Sequence, residues 1–114
     1  MNTEVSEGTK KILNLVQAVN DFMHEEKLYD PHSDPIVYHD PEEWRNRGEI
    51  YGLDSELIMV YEGNAMFYIM NPGYASHPST TYKLHDRFID KVHKAGFWVE
   101  PCTGWYAAFY PTEG

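Results

Sequence analysis

The sequence is poor in cysteine, poor in positive charge and free of long apolar runs. Cys102 is the single cysteine among 114 residues. That excludes a disulfide-stapled scaffold and suits a reducing compartment. No apolar stretch approaches the roughly 20 residues needed to cross a bilayer. The opening residues, MNTEVSEGTKK, place acids before lysines and have no apolar run behind a basic start, which is not the pattern of a signal peptide. A cytoplasmic protein with no membrane partner is expected. Nine Lys and Arg stand against eighteen Asp and Glu, for a formal charge of −9. A surface of that sign repels phosphates, so direct binding to nucleic acid is not expected. Signatures of catalysis are missing too: there is no G-x-S-x-G, no phosphate-cradling glycine loop and no dinucleotide fingerprint. Nothing points to a cofactor or to enzymatic activity.

The acids that are present are concentrated. Asp21 to Glu62 holds twelve of them against Lys27, Arg45 and Arg47, which accounts for the whole net charge and leaves both flanks neutral. The densest stretch, His24 to Trp44, also contains three of the six histidines and three of the seven prolines. Such asymmetry sets up a directional field that suits docking on a basic protein surface.

Hydrophobic spacing supplies the frame. Ile12, Val16, Val19 and Met23 recur at helical intervals, predicting a helix over residues 9–29 capped by Thr9 or Ser6 and stopped by Asp30-Pro31. Its polar face is acidic toward the C-terminus, so it reads as a core-facing helix and not as a membrane-surface one. Residues 30–40 read as a loop of Asx turns stiffened by proline. Asp40-Pro41-Glu42-Glu43 then starts a short helix, with Asp40 as N-cap, Glu43 as its capping-box partner and Gly48 as terminator. Strands are predicted at residues 50–53, 56–61 and 65–70, the last two joined by a Glu62-Gly63-Asn64 hairpin turn. Apolar residues on both faces of that hairpin suggest a central place in the sheet. A second long helix over residues 81–95, with Leu84, Phe88, Ile89 and Val92 inward and Gly96 behind it, leads to a closing hairpin of residues 97–100 and 105–110. The chain thus reads as one domain, residues 1–114, of α+β class. The expected form is a two-layer sandwich with an antiparallel sheet of four to five strands and two long helices on one face.

Side chains capable of chemistry are scattered through this frame. His32, Asp34, His39 and Asp40 lie within nine residues and are of the types that bind transition metals, with His32, Asp34 and His39 as the candidate ligands. Their spacing matches no metal signature, and histidines in an acidic loop are more often solvated. Asp86, Asp90 and His93 share one face of the second helix, but alternation with lysine and arginine favours an i,i+4 ion-pair surface. Cys102 lacks the flanking signature of a nucleophile. Paired carboxylates for glycoside hydrolysis are conceivable among eighteen acids, yet a small two-layer domain offers little concave volume for a polymer. Aromatics make up 15% of the chain. In the last hairpin they fall on both faces of the strands, so one set must face away from the helices. Tyrosine and tryptophan are favoured interface anchors, and they also fill thin cores with their polar tips wet.

Two functional readings follow. The first is a small acidic binding or inhibitory protein of the kind carried by phages and mobile elements against host defences. Its carboxylates would occupy the basic, nucleic-acid-binding surface of a partner protein, in the extreme form as a nucleic-acid mimic. The expected contact set is Glu25, Glu26, Asp30, Asp34, Tyr38, Glu42, Trp44, Trp98 and Trp105. The second is a small enzyme or ligand-binding domain using His32, His39 or His77 with nearby carboxylates. A homodimer through the aromatic hairpin is a further expectation. The first reading is preferred. On it, reversing Glu25, Glu26, Asp34 and Glu42 to lysine should abolish partner binding without moving the thermal midpoint.

Overall fold

The computed structural model describes residues 6–112. Residues 1–5, the front of the segment read above as no signal peptide, lie outside the described residues, as do 113 and 114.

Alternation along the last strand organises the molecule. In β4 (Tyr106–Pro111) Ala107 and Phe109 point to one side, and Tyr106, Ala108 and Tyr110 to the other. It pairs antiparallel with both β2 (Leu57–Val60) and β3 (Phe97–Pro101), while β1 (Val37–His39) adds to the far side of β2. The order is β1-β2-β4-β3. The central position of β2 explains its apolar run, since three of its four residues are buried.

Two long helices cover one face. In α1 (Glu7–Glu25) Leu15, Val19, Phe22 and Met23 are buried. In α4 (Pro78–Lys94) Phe88 and Val92 are buried, and Phe22 meets Phe88 edge-on at 5.2 Å between ring centroids. These side chains form one core with Leu57, Met59, Phe97, Ala107 and Phe109. The α+β class, the antiparallel sheet and the helices on a common face agree with the sequence pattern.

The opposite face carries a second, smaller core. Trp44 of α2 (Pro41–Asn46) is fully buried on Ile58, Tyr106 and Ala108, with Leu53, Cys102 and Trp105 around it. The tryptophan inserts between Tyr106, at 4.9 Å, and His39, also at 4.9 Å, with the Arg47 guanidinium 4.4 Å from its ring.

Four local expectations are corrected. Residues 65–70 form no strand: Met66–Met70 is a short helix, α3, followed by a 3-10 turn at Pro72–Tyr74. The turn at residues 61–64 exists, with Asn64 N–H donating to Tyr61 O and Gly63 at φ +77°, but it feeds a helix instead of a hairpin. Met66, Ile69 and Met70 are the buried positions, which is the i, i+3, i+4 spacing of one helix face. Residues 50–53 are likewise not a strand. Gly52 sits at φ +80°, and a Cβ there would stand 2.9 Å from Ile58 Cδ1 and 3.0 Å from Ala108 Cβ, so only glycine fits this close approach. The loop of residues 30–40 contains β1, whose ladder pairs Val37 with Val60 and His39 with Ile58. Finally, α1 stops at Glu25 and not at Tyr29. Lys27 adopts φ +58°, Lys27 N–H donates to His24 O, and Leu28 N–H donates to Met23 O. That is a Schellman closure with lysine where glycine is usual.

Candidate functional site

The closure at Lys27 throws the chain off α1, and residues 29–36 return across it toward β1. Each turn of this loop has a local cause. Asp30 Oδ1 accepts from His32 N–H at 2.8 Å, and Asp30 O accepts from Ser33 N–H at 3.1 Å. Pro31 and Pro35 fix the intervening torsions. The loop is then tied down at Asp34, whose N–H donates to Gly63 O at 3.1 Å and whose carbonyl accepts from Asn64 Nδ2 at 2.8 Å. The Asp34 carboxylate rests on the Cα of Gly63, where any side chain would collide with it. Asn64 Oδ1 in turn accepts from Met66 N–H, the first of α3, at 2.9 Å. One nearly buried asparagine therefore joins the acidic loop to the helix layer.

A cavity of about 440 Å³ lies between this loop and α1. Val16, Val19, Met23, Ile36 and Tyr38 supply apolar walls, while Asp30, Asp34, Asn20 and Asn64 supply polar ones. No Lys, Arg or His is among the residues lining it. On the other side of the loop a broader depression of about 660 Å³ is bounded by Asp30, Glu62, Tyr29, Tyr68 and Lys27. Tyr29 and Tyr68 are exposed, and Tyr29 stacks on His24 at 5.3 Å. Burial raises the Tyr38 phenol well above its ordinary range, so it stays a neutral wall of the cavity at physiological pH.

The expected contact residues separate into distinct groups. Glu25 and Glu26 are not free: Lys91 bonds Glu25, and Arg87 forks onto Glu26 with bonds of 2.9 and 3.1 Å. These pairs clasp α1 to α4, and their charges are largely offset by the helix that the sequence pattern showed as balanced. Reversing them would put like charges together at a helix contact, which corrects the earlier use of these two residues as a pure surface test. Asp30, Asp34 and Glu42 are exposed, and among the described residues none has a cationic partner within ion-pair distance. Glu42 sits apart from the loop, in the first turn of α2. Trp44 has no exposed surface and cannot anchor a partner; its place is the second core. Its Nε1 is buried and, among the described residues, makes no hydrogen bond of normal geometry, with the Tyr106 side chain as its polar neighbour. Trp105 is half-buried against Trp44 and Tyr106. Trp98 alone of the three is exposed, stacked on Tyr110 at 4.4 Å on the face away from α1 and α4.

The residues of the second reading do not converge. His39 Nδ1 lies 2.5 Å from Glu43 Oε1, so Glu43 meets the imidazole instead of closing a capping box on Asp40. Asp40 itself caps α2 through Glu42 N–H at 2.8 Å. His77 precedes α4, where its carbonyl accepts from Thr81. Neither cavity beside the loop is lined by His32, His39 or His77. Among the described residues no three His, Cys, Asp or Glu side chains gather into a metal-binding group. On α4, His85 Nδ1–H donates to Ile69 O at 2.8 Å and Lys94 pairs with Asp90 at 2.9 Å, a structural role for both. The Cys102 thiol is pushed up to about 11 by burial and by nearby Glu100, which leaves it protonated and a poor nucleophile near neutral pH.

The sequence pattern missed Asn64, Gly63, Glu62 and Tyr68. Their chain segment looked like a hairpin, so nothing linked it to residues 30–34, about thirty positions earlier. Comparison with known proteins returned no match: no family model, no curated relative and no solved structure.

Proposed function

We propose that the protein is a small acidic binding protein, with no catalytic activity of its own, that inhibits a nucleic-acid enzyme of a host by occupying its basic surface. Residues 30–36 with Glu62 form the contact, and exposed Tyr29 and Tyr68 flank it. The observation that carries this reading is a division among the acids. Those on the end of α1 are paired with α4, whereas Asp30 and Asp34 are exposed, with no cationic partner among the described residues, on a loop fastened by Asn64. A preformed loop loses little entropy on binding, and unpaired carboxylates steer a basic partner toward it. The acids are of the wrong sign for nucleic acid itself, so the partner is a protein.

The test is competition. Purified DNA- and RNA-processing enzymes, each holding a fluorescent duplex, are titrated with the protein at low and high salt. Displacement that weakens steeply with salt, and that is lost in the combined Asp30→Asn, Asp34→Asn, Glu62→Gln variant, supports the proposal. Displacement indifferent to both changes would refute the assignment of this loop as the contact.

A further inference from the structure

A flat acidic surface would need no cavity, yet the loop arches over one. We infer that the space between α1 and the acidic loop is a receptor for one arginine-bearing segment of a protein partner, with the guanidinium at the carboxylate rim and the alkyl stem inside. This inference rests on the docking role proposed above and specifies its chemistry.

Three features of the site select that occupant. Val16, Val19 and Met23 of α1 and Ile36 of the loop make part of the wall apolar, beside polar Gln17, Asn20 and Asn64, and at about 440 Å³ the volume lies within the usual range of ligand clefts, roughly 300–1,000 Å³. The rim carries Asp30 and Asp34 and no cation. Asp30 spends one carboxylate oxygen on His32 N–H, which leaves the other for an incoming donor. An entering group must therefore be positively charged at one end and apolar behind it. Arginine fits better than lysine for two reasons. Guanidinium is more weakly hydrated, so a half-apolar site costs it less, and it can fork onto a carboxylate while lying against the Tyr29 or Tyr38 ring. A free metal ion has no such apolar requirement, and an anionic ligand would meet two carboxylates.

Four probes test this directly: N-butylguanidinium, its neutral isostere butylurea, and the peptides octa-arginine and octa-lysine. Methyl and amide NMR shifts are followed on the whole protein. N-butylguanidinium should shift Val16, Val19, Met23 and Ile36 in a saturable manner, and butylurea should bind at least tenfold more weakly. Octa-arginine should bind more tightly than octa-lysine at equal ionic strength. Asn20→Trp at the cavity mouth keeps every carboxylate but fills the space, and should lower octa-arginine affinity at least tenfold. Gln17→Trp serves the same purpose should Asn20→Trp unfold. Equal binding of butylurea, or full octa-arginine affinity in the filled variants, would overturn the inference. Loss in the Asp30→Asn, Asp34→Asn variant alongside retention in the filled ones would leave the docking loop standing without the cavity. Octa-arginine binding that ignores both carboxylates would overturn the docking reading itself.

Discussion

Replacing Asn64 by alanine should loosen the acidic loop and the helix layer together. The side chain donates to Asp34 O at 2.8 Å, accepts from Met66 N–H at 2.9 Å, and the residue is only 9% exposed. Each net hydrogen bond is worth about 1 kcal/mol, and a buried donor or acceptor left without a partner costs about 1–3 kcal/mol. Met66 is fully buried, so its N–H has little access to water once the asparagine is gone. A loss of about 2–4 kcal/mol follows for Asn64→Ala. Unfolding entropies near 2.1 cal/mol/K per residue make each kcal/mol worth roughly 4 °C for a chain of this length, so the midpoint should fall by about 8–16 °C. Asn64→Asp keeps the acceptor for Met66 but sets a carboxylate oxygen against the Asp34 carbonyl, so it should lose at least as much as Asn64→Ala. Thermal unfolding by circular dichroism gives the midpoints. Hydrogen exchange at the Asp34 amide, which bonds to Gly63 O, should accelerate in parallel. A midpoint within about 2 °C of wild type, with Asp34 exchange unchanged, would refute the claim that Asn64 fastens the loop.

Three further outcomes are expected. Trp44→Ala should cost about 3–5 kcal/mol by emptying the second core, while Trp98→Ala, on an exposed face, should cost far less; denaturant titration of both variants separates the roles. Lys27→Gly should raise stability by up to about 1 kcal/mol, because Lys27 holds φ +58° where glycine carries no Cβ penalty; a lower denaturation midpoint would contradict that account of the α1 terminus. Alkylation of Cys102 by iodoacetamide should show a pH midpoint near 11 instead of 9. Because the folded thiol holds its proton longer than the unfolded one, its contribution to stability is complete below about pH 9 and fades as pH rises toward 11. A reactive thiol at pH 8 would contradict the raised pKa assigned to the half-buried Cys102 thiol.

The long elements were legible in the sequence because their periodicity persists over several turns. The Val16–Val19–Met23 and Phe88–Val92 stripes identify helices that no tertiary contact overrides. Met66–Met70 was not legible, since five apolar residues satisfy the helical and the strand pattern alike and only packing decides. The three-residue β1 was hidden for a related reason: among prolines and Asx turns, a segment so short becomes a strand only by pairing with β2. At the proposed site, the charge run took in acids that the fold pairs off. Sequence distance concealed both the Glu26–Arg87 pair, which removes an acid from the surface, and the Asn64 clamp, which fixes the acids that remain. Trp44 illustrates the opposite error: a tryptophan beside a proline-rich loop looked like an anchor, but it is the centre of a core.

The proposed docking contact is made by the loop acids and not by the acids at the end of α1. Association with a basic nucleic-acid-binding protein, measured by calorimetry across ionic strength, tests it with two variants side by side. Asp30→Asn, Asp34→Asn, Glu62→Gln should abolish binding and leave no salt dependence, whereas Glu25→Gln, Glu26→Gln should bind within a few-fold of wild type. The reverse pattern, with the loop variant binding normally and the α1 variant failing, would contradict the account.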